Sequence, residues 1–534
     1  MLTDTSNEHR STEQAYRLVN EGHTLLDCAK VDLAISAFER AIALHPDFAE
    51  AHYNLGVAFG GLHQIDRAAA CYQKAIELKG EFVQARYNLA NLYKQTGQLD
   101  QAVTHYRNTL QIDPDHWKTL SNLGETLRIM GRTKEAVPYL RQAIRLRPDG
   151  YQAYVRLGRA WVDQGSLDQA VECFHTALEL RPDDAAAHCN LGAALNLAGK
   201  YDQAIQQYNL AILIDPDNPE SHWNKAILLL QTGRLQEGWK EYAWRRKMPA
   251  VMPIAYARTY EQPHWDGSPS TGRRLLVHYE QGLGDTLQFV RYLPMVKAQG
   301  GTVLFEAQGP LYRLLRGFPG IDELVAETPG AGPNVSFDLQ VSLLDLPAIF
   351  GTTLHTIPAA VPYLFAEPDK VVVWKGRAAG PGLKVGLVWA GSPRHTGDSI
   401  RSCPLVDLEP LSQIRGVRLY SLQKEVTGPN SDRLQRMDVM PLGDRFEDFS
   451  DTAAAVANLD LVISVDTAVL HLAGAMAKPA WALLGYSPDW RWMQDRPDSP
   501  WYPSLRLFRQ QKGQDWQSVI AQVAAELRVL SSQS

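Results

Sequence analysis

The 534-residue sequence lacks the features that mark several classes of protein. It has no long run of Lys and Arg and its formal net charge is -6, so its charge does not favour binding to nucleic acid. No apolar run reaches the ~18 residues of a membrane span, and the N-terminus has no basic stretch followed by an apolar core. We therefore expect a cytoplasmic protein without a membrane span. Its length exceeds one hydrophobic core and indicates about three or four folding units.

Cysteine is scarce, and no metal-ligand pattern is present. The five cysteines are odd in number and lack the spacing of metal ligands, so we interpret them as reduced packing residues. After residue 250 the sequence also lacks an Asp-x-Asp pair, the carboxylate clamp that often holds a metal. We expect no metal site and no other cofactor. The cysteines are Cys28, Cys71, Cys173, Cys189 and Cys403.

The first half of the sequence repeats itself every 34 residues. This step is that of tetratricopeptide repeats, in which each unit forms two amphipathic helices and a turn. Six units run from about residue 15 to residue 218, behind an N-terminal tail of residues 1–14. In a seventh unit, Gly238 replaces the alanine at the helix crossing and three aromatic residues crowd the second helix. We predict an all-α tetratricopeptide superhelix over residues 15–250, whose last repeat is a cap docked on the next domain. The recurring alanines are Ala34, Ala68, Ala102, Ala136, Ala170 and Ala204.

A second series with the same 34-residue step consists of asparagine. All members fall in the first helix of a repeat, so stacked repeats would line their amides along the concave face. Because an amide both donates and accepts hydrogen bonds, such a ladder can hold an extended polypeptide. The alternative is that these asparagines only bridge neighbouring helices. The series begins at Asn20, is interrupted by Arg156, and supplies the predicted polypeptide-binding residues Asn54, Asn88, Asn122, Asn190 and Asn224.

The pattern changes after residue 250. Residues 251–272 are rich in proline and turn residues, which predicts a linker. Beyond it, strand-like apolar runs alternate with helical stretches, which favours parallel sheets. A break near residues 352–383 divides the runs into two Rossmann-like lobes, predicted at residues 273–365 and 366–534. Ligands of such sheets bind beyond the carboxyl ends of the strands, so the residues that follow each strand are the candidates for a site.

The stretch "EQGLGDTLQF", residues 280–289, follows a strand-like run and opens a helix. Gly282 and Gly284 allow a sharp turn near a ligand, but the third glycine of a dinucleotide fingerprint and the lysine of a Walker loop are absent. A nicotinamide site is therefore not expected. The spacing places Asp285 at the helix N-terminus, facing the cleft. Helix capping alone, which contributes about 1 kcal/mol, would also explain an aspartate here.

The second lobe has a similar strand-to-helix junction in "SVDTAVLHLAGA". Here a buried strand ends in Asp466 and Thr467, and the next helix carries His471 one turn later. The N–H groups of Thr467 and Ala468 would form a positive helix end suited to a pyrophosphate. Asp466 could bind sugar hydroxyls, and His471 could reach a phosphate or a ribose. Capping and core packing would explain any one of these residues by itself.

Polar and cationic side chains follow two more strand-like runs of the second lobe. Cations gathered after successive strands suit a diphosphate, since each charge-assisted hydrogen bond contributes roughly 1.5 to 3 kcal/mol. Solvated surface charge explains one such residue more easily than four. The residues are Ser392, Arg394, His395 and Arg401 after one strand, and Gln423 and Lys424 after the other.

These residues carry a resemblance to known families. The stretches "GLGDTLQFVRYLP" and "SVDTAVLHLAGA" resemble the heptosyltransferase-type glycosyltransferases of the two-lobed GT-B fold. The repeats ahead of them are similar to those of the O-linked N-acetylglucosamine transferases. Bacterial proteins of the combined architecture, some associated with flagellin glycosylation, also share "DWRWM" and "SPWYPSLRLFRQ" with this chain. The resemblance spans nearly the whole sequence.

The resemblance implies a glycosyltransferase that uses a nucleotide sugar and acts on a Ser or Thr hydroxyl of a protein held by the repeats, with flagellin as one possible acceptor. It implies that Asp285 is the catalytic base. We predict inverting transfer with His395 as the alternative base, and the missing Asp-x-Asp pair predicts that the protein's cations replace a metal. Two features depart from these families. Pro294 lies three residues farther from the Gly-Asp pair than in typical heptosyltransferases, and Gln423 and Lys424 are adjacent, whereas the N-acetylglucosamine transferases separate them. The identity of the donor is therefore not implied by either family. The residues assigned to the donor are Gly284, Ser392, Arg394, Arg401, Gln423, Lys424, Asp466, Thr467, Ala468 and His471.

Two other interpretations stay open from the sequence. In one, the transferase half is degenerate and the repeats act as a binding scaffold. In the other, the acceptor is a lipid or a polysaccharide, which an amphipathic basic helix on the first lobe would favour; the sequence shows no convincing one.

Overall fold

The computed structural model describes residues 2–248, 260–328, 332–392, 398–511 and 515–533, with side chains from residue 10 onward except at 399 and 400. The chain divides into two compact units, Met1–Pro216 and Asp217–Ser534. Among the described residues, no helix is both long enough and apolar enough to cross a membrane.

The first unit consists of helical pairs. Each pair is one repeat, and its two helices pack along their length. Within the described residues the helices are α1 (Leu2–Asp27), α2 (Val31–Leu44), α3 (Ala49–Gly61), α4 (Ile65–Leu78), α5 (Val83–Gln95), α6 (Leu99–Ile112), α7 (Trp117–Ile129), α8 (Thr133–Leu146), α9 (Tyr151–Asp163), α10 (Leu167–Leu180), α11 (Ala185–Leu197) and α12 (Tyr201–Ile214).

The 34-residue period is confirmed in the backbone and in the packing. The recurring alanines, from Ala34 to Ala204, are fully buried where the paired helices cross. The turn inside each pair holds a residue in the left-handed region, which is a glycine from Gly97 onward and is Ala29 or His63 in the first two pairs. The tetratricopeptide array is therefore present. Helix α1 begins at Leu2, so the residues predicted as an N-terminal tail are helical and extend the first repeat.

The second unit begins with a further helical pair, α13 (Pro219–Gln231) and α14 (Leu235–Tyr242). Trp239 and Tyr242 of α14 belong to the same hydrophobic core as the sheets that follow, and the Trp239 indole donates a hydrogen bond to the Thr352 carbonyl over 3.0 Å. The predicted cap thus packs on the next domain. For this reason the structural division falls at residue 216, before the cap, and not at residue 250.

Two parallel sheets follow the cap. The first has the strand order β3-β2-β1-β4 and the second the order β10-β9-β8-β5-β6-β7. The predicted border between the lobes, at residues 365 and 366, falls between the two sheets. The strands are β1 (Arg274–His278), β2 (Thr302–Ala307), β3 (Glu323–Ala326), β4 (Leu339–Ser342), β5 (Leu383–Val388), β6 (Val417–Ser421), β7 (Met440–Pro441), β8 (Leu461–Val465), β9 (Ala480–Leu484) and β10 (Leu505–Arg509).

Helices connect these strands, as parallel pairing requires. Several are single turns. Among the described residues they are α15 (Leu283–Phe289), α16 (Leu293–Lys297), α17 (Gly309–Tyr312), α18 (Leu346–Ile349), α19 (Pro368–Arg377), α20 (Asp398–Arg401), α21 (Glu409–Ser412), α22 (Pro429–Arg436), α23 (Phe449–Ala457), α24 (Ala468–Ala475) and α25 (Trp516–Ser532).

Strand register gathers the candidate residues of the second sheet at one edge. Strand β5 lies between β8 and β6, with Val388 opposite Ser464 and Leu387 opposite Ser421. Because all three strands run in the same direction, the segments that leave them start side by side. The residues predicted from three separate strand ends therefore share one edge of the sheet.

Candidate active site

The two motif helices, α15 and α24, meet at their N-terminal turns. A Cβ placed on Gly284 of α15 would lie 2.9 Å from Cδ2 of His471 and 3.6 Å from Cα of Ala468. The Gly-Asp motif of the first sheet and the Asp-Thr motif of the second sheet therefore form a single site.

Asp285 is the third residue of α15. Its Oδ2 accepts a hydrogen bond from the Gly282 N–H over 2.8 Å, and its Oδ1 forms an ion pair with Arg491. Burial raises the pKa of the Asp285 carboxyl above its usual value, although Arg491 and the Gly282 N–H act in the opposite direction. The site thus holds a carboxylate in a fixed position with a stronger affinity for protons than an exposed aspartate has.

Arg491 connects the two sheets, and its side chain is only 8% exposed. It donates from Nε to Oε1 of Gln288 over 2.6 Å and from Nη1 to Oδ1 of Asp489 over 2.9 Å. Its guanidinium lies 4.4 Å from the ring centre of Trp490. These contacts fix the charge of Arg491 beside Asp285.

The sequence interpretation gave no role to Arg491. The stretch "DWRWM" contributed to the family resemblance, but its arginine was not singled out. One feature of the sequence does point to Arg491: it lies between two tryptophans shortly after strand β9. A cation among large apolar side chains needs a buried carboxylate partner.

His471 of α24 is buried near the charge of Arg491, with 5% of its surface exposed. Its Nδ1 is 2.9 Å from the Tyr502 hydroxyl oxygen, and its ring stacks on Trp492 at a centroid distance of 5.4 Å. Burial, followed by the nearby charges of Arg491 and Arg291, lowers the pKa of His471 well below its usual value. The imidazole is therefore neutral at pH 7 and can take part in hydrogen bonds without carrying charge.

Asp466 follows strand β8, and its Oδ1 is 3.7 Å from Nε2 of His471. Burial and the neighbouring Asp489 raise the pKa of Asp466 to about 6, while Arg491 and Arg401 lower it. The carboxylate form therefore predominates only above this pH. Asp466 is thus a hydrogen-bond acceptor whose charge changes close to neutrality.

Thr467 is the residue before α24, and its side chain makes no hydrogen bond to the start of the helix. The Thr467 hydroxyl instead lies 3.0 Å from the Ser464 hydroxyl. The first N–H groups of α24, beginning at Ala468, are thus not capped by the Thr467 side chain. A helix start of this kind suits an anion.

The remaining predicted donor residues occupy the same edge of the second sheet. The Arg401 guanidinium packs against Gly391, just after β5, and donates to Oδ1 of Asp398 over 3.1 Å. Oε1 of Gln423, after β6, accepts from the Ala390 N–H over 3.2 Å. The bond between Gln423 and Ala390 joins the ends of β5 and β6. Lys424 and Ser392 are exposed at this edge, whereas Arg394 and His395 lie outside the described residues.

The loop that carries Asp285 is anchored by a buried ion pair that sequence reasoning also missed. Glu280 accepts two hydrogen bonds of 2.6 Å from Arg245, which is 1% exposed and follows α14. Nη2 of Arg245 is also 2.9 Å from Oδ1 of Asp345, after β4. The end of the cap therefore holds the start of the Gly-Asp loop.

The asparagine ladder makes contacts between repeats. Asn88 donates to the Tyr53 hydroxyl over 3.2 Å, and Asn122 donates to the Tyr87 hydroxyl over 2.9 Å. These bonds to the preceding repeat agree with the alternative that the asparagines bridge neighbouring helices. Asn122 also donates to Oδ1 of Asn91 over 2.8 Å, so both of its N–H groups are used, whereas Asn88 keeps a second N–H. Both amides keep their carbonyl oxygens, so polypeptide contact stays a prediction.

The other predicted members of the ladder occupy matching positions. Nδ2 of Asn54 is 3.1 Å from Nε2 of His23. Asn190 is half-buried on α11, and Asn224 is half-buried on α13, which belongs to the second unit.

Family models match segments in both halves of the chain. Tetratricopeptide models match residues 22–62, 49–82, 81–149 and 157–219. The model for glycosyltransferase family 9 (heptosyltransferase) matches residues 447–522, which include Asp466, His471 and Arg491.

Protein FlbA of Caulobacter vibrioides is 30% identical over 322 residues, which cover 55% of this chain and 52% of FlbA. The chain thus spans about half the length of this curated relative.

Among solved structures, the tetratricopeptide protein YrrB is 26% identical over 35% of this chain and 95% of its own, with a TM-score of 0.31. MamA is 20% identical over 32% of this chain and 92% of its own, with a TM-score of 0.30. By the family models, the chain carries tetratricopeptide repeats followed by a glycosyltransferase domain of family 9, the heptosyltransferase family.

Proposed function

We propose that the protein transfers a sugar from a nucleotide diphosphate to a Ser or Thr hydroxyl of an acceptor protein recruited by the repeats. The observation that carries this proposal is the meeting of α15 and α24: Gly284, the neighbour of Asp285, contacts His471, whose Nε2 is 3.7 Å from Oδ1 of Asp466. We also propose that the two parallel sheets are the lobes of a GT-B arrangement. In support, the site residues follow the carboxyl ends of strands β1, β5, β6 and β8, where ligands of such sheets bind.

Asp285 is proposed as the base. The acceptor oxygen attacks the anomeric carbon from the side opposite the diphosphate, and Asp285 takes its proton as the bond to the leaving phosphate oxygen breaks. This displacement inverts the anomeric configuration. An ionised carboxylate has about four acceptor positions, and the Gly282 N–H and Arg491 use two of those on Asp285, so a hydroxyl can still bind. The raised pKa of Asp285 favours proton transfer to it.

The leaving diphosphate would be stabilised by fixed positive charge. Arg401, Lys424 and the first N–H groups of α24 supply this charge at one edge of the sheet. Asp466 would accept hydrogen bonds from sugar hydroxyls. Since these groups do the work that a metal ion does in other transferases, the proposed reaction needs no metal. His395, outside the described residues, is the second candidate for the base.

A screen of nucleotides and nucleotide sugars by thermal shift, followed by transfer assays on the full chain, tests the proposal. A donor present at ~100 times its dissociation constant should stabilise the protein by about 2.7 kcal/mol. Transfer should continue in excess EDTA. If no nucleotide sugar stabilises the protein or is consumed, the proposed activity is wrong; if EDTA stops transfer and magnesium or manganese restores it, the metal-free mechanism is wrong.

A scaffold without activity is the second candidate, and the ion pair between Asp285 and Arg491 favours it. Arg491 occupies Oδ1 of Asp285 and acts to lower the pKa of its carboxyl, which opposes proton transfer to it. Binding of a polypeptide by the repeats, with no turnover of any donor, would support the scaffold.

A further inference from the structure

The first helices of the third, fourth and fifth repeats carry a group of positive charges, which we name the basic cluster. Helix α7 contacts both α5 and α9, so these three helices line one surface of the array. Two carboxylates lie within the group. The cluster consists of Lys94 on α5, Glu125 and Arg128 on α7, and Arg156, Arg159 and Asp163 on α9.

The two carboxylates of the basic cluster are already paired. Arg128 lies 3.0 Å from Oε2 of Glu125 through Nε and 2.9 Å from Oδ2 of Asp163 through Nη1. Arg159 is 3.1 Å from Oε1 of Glu125. Two arginines therefore balance the two carboxylates, and the charges of Lys94 and Arg156 remain in excess.

Lys94 and Arg156 are half-buried, and among the described residues neither forms an ion pair. Nη1 of Arg156 donates to the uncharged Ser121 hydroxyl over 2.6 Å. Burial lowers the pKa of Lys94, and Arg156, Arg159 and Arg128 lower it further. Burial also lowers the pKa of Arg156. Partial removal from water makes this excess charge costly, and an anionic group placed between the two cations would offset that cost.

The basic cluster ends abruptly on both sides. Helix α11 has no Asp, Glu, Lys or Arg, and the charge on α3 is Glu50, which is paired with Lys79 at 2.8 Å. A nucleic acid backbone needs a continuous basic track, whereas a short anionic segment fits a compact cluster. Asn88 and Asn122 lie on the same helices, and their amides suit a polypeptide backbone.

We propose that the basic cluster binds an acidic segment of a polypeptide, with its carboxylates at Lys94 and Arg156. Arg156 occupies the position at which the other repeats of the asparagine series carry asparagine. In this repeat a cation thus stands in place of an amide, as binding of a negatively charged part of the polypeptide would require. The inference rests on the proposed recruitment of an acceptor protein by the repeats, and it names the chemistry of the part that is recruited.

The test measures binding by the full chain without any donor. Two fluorescent nine-residue peptides are compared by anisotropy, one with glutamate at alternate positions and the other with glutamine there. The glutamate peptide should bind at least ten times more tightly, and added salt should reduce the difference. The double variant Lys94→Gln/Arg156→Asn should remove the preference. Lys118→Gln, which loses a charge elsewhere on α7, should retain it within twofold.

A second variant, expected to bind the glutamate peptide more tightly, tests the inference even if the double variant does not fold. Glu125→Gln removes a carboxylate from the cluster and should tighten binding of the glutamate peptide about threefold or more. Equal affinity for the two peptides, an equal loss in Lys118→Gln, or tighter binding of a thymidine decamer would overturn the inference.

The two proposals fail separately. Peptide preference without donor turnover contradicts only the transferase proposal. Donor hydrolysis without peptide preference contradicts only the acidic-segment inference.

Discussion

A Cβ on Gly284 would lie 2.9 Å from Cδ2 of His471, closer than carbon atoms in proteins normally approach. Helices α15 and α24 are therefore as close as a glycine allows. This contact joins the two motifs that make up the candidate active site.

Gly284→Ala should separate the two helices. Because the His471 ring is held by Tyr502 and Trp492, the added methyl group meets a side chain with little room to move, and such overpacking costs about 1–3 kcal/mol. We expect a lower melting temperature and at least a tenfold loss of turnover. Gly309→Ala, where an added Cβ meets nothing within 4 Å, is the matched control. Normal turnover in Gly284→Ala would show that catalysis does not depend on this close approach.

Asp285→Asn tests the proposed base. Asparagine caps a helix about as well as aspartate but cannot accept the proton, so turnover should fall by about 10²- to 10⁴-fold while donor affinity persists. Asp489→Asn also removes a carboxylate from Arg491 and should cost similar stability with a smaller loss of turnover. Melting temperature, donor dissociation constant and turnover are measured on the same preparations. Near-normal turnover in Asp285→Asn would move the base to His395.

Asp466 should make stability depend on pH. Its pKa is raised to about 6 in the folded protein, so the stabilisation from its bound proton is complete below about pH 4 and is lost as the pH rises through 6. An asparagine side chain at this position would mimic the protonated acid at every pH. The melting temperature of Asp466→Asn relative to the native protein should therefore be higher at pH 7.5 than at pH 4.5. Exposed Asp432→Asn serves as the charge control, and a constant difference for Asp466→Asn would contradict the raised pKa.

The contributions of Arg245 and Glu280 to the free energy of unfolding should be coupled. Arg245→Met leaves Glu280 buried without its arginine and removes one of the two arginines that pair with Asp345, and it should cost about 3–5 kcal/mol. In urea denaturation, the double variant Arg245→Met/Glu280→Met should lose less than the sum of the single changes, with a coupling of about 0.5–3 kcal/mol. Arg246, a partner of Asp345 that is 45% exposed, gives the control Arg246→Met, with a cost of about 0–1 kcal/mol. Additive single effects would show that the pair is not coupled.

Much of this architecture is predictable from periodicity and strand ends. The 34-residue step predicts the repeats because every unit packs in the same way, and parallel strands predict that Asp466 and Gln423 share an edge. Arg491 and Arg245 were not predictable from these patterns. Asp285 is 206 residues from Arg491 in the chain, and a local pattern does not show which distant carboxylate a buried arginine meets. The repeat period continues past residue 216, but the aromatic residues that crowd the last helix predict a cap docked on the next domain, and Trp239 does join the core of the sheets.

The position of the cap has a consequence for exchanging parts between proteins of this design. Helices α13 and α14 keep a repeat-like form but share their core with the sheets, and the segment after them holds the loop of Asp285 through Arg245 and Glu280. A chimera joined at Pro216 would bring a new array to an intact second unit. A chimera joined at residue 250 would replace Arg245, which anchors the loop before Asp285, together with the array. The natural point of recombination therefore lies one helical pair before the end of the repeat pattern.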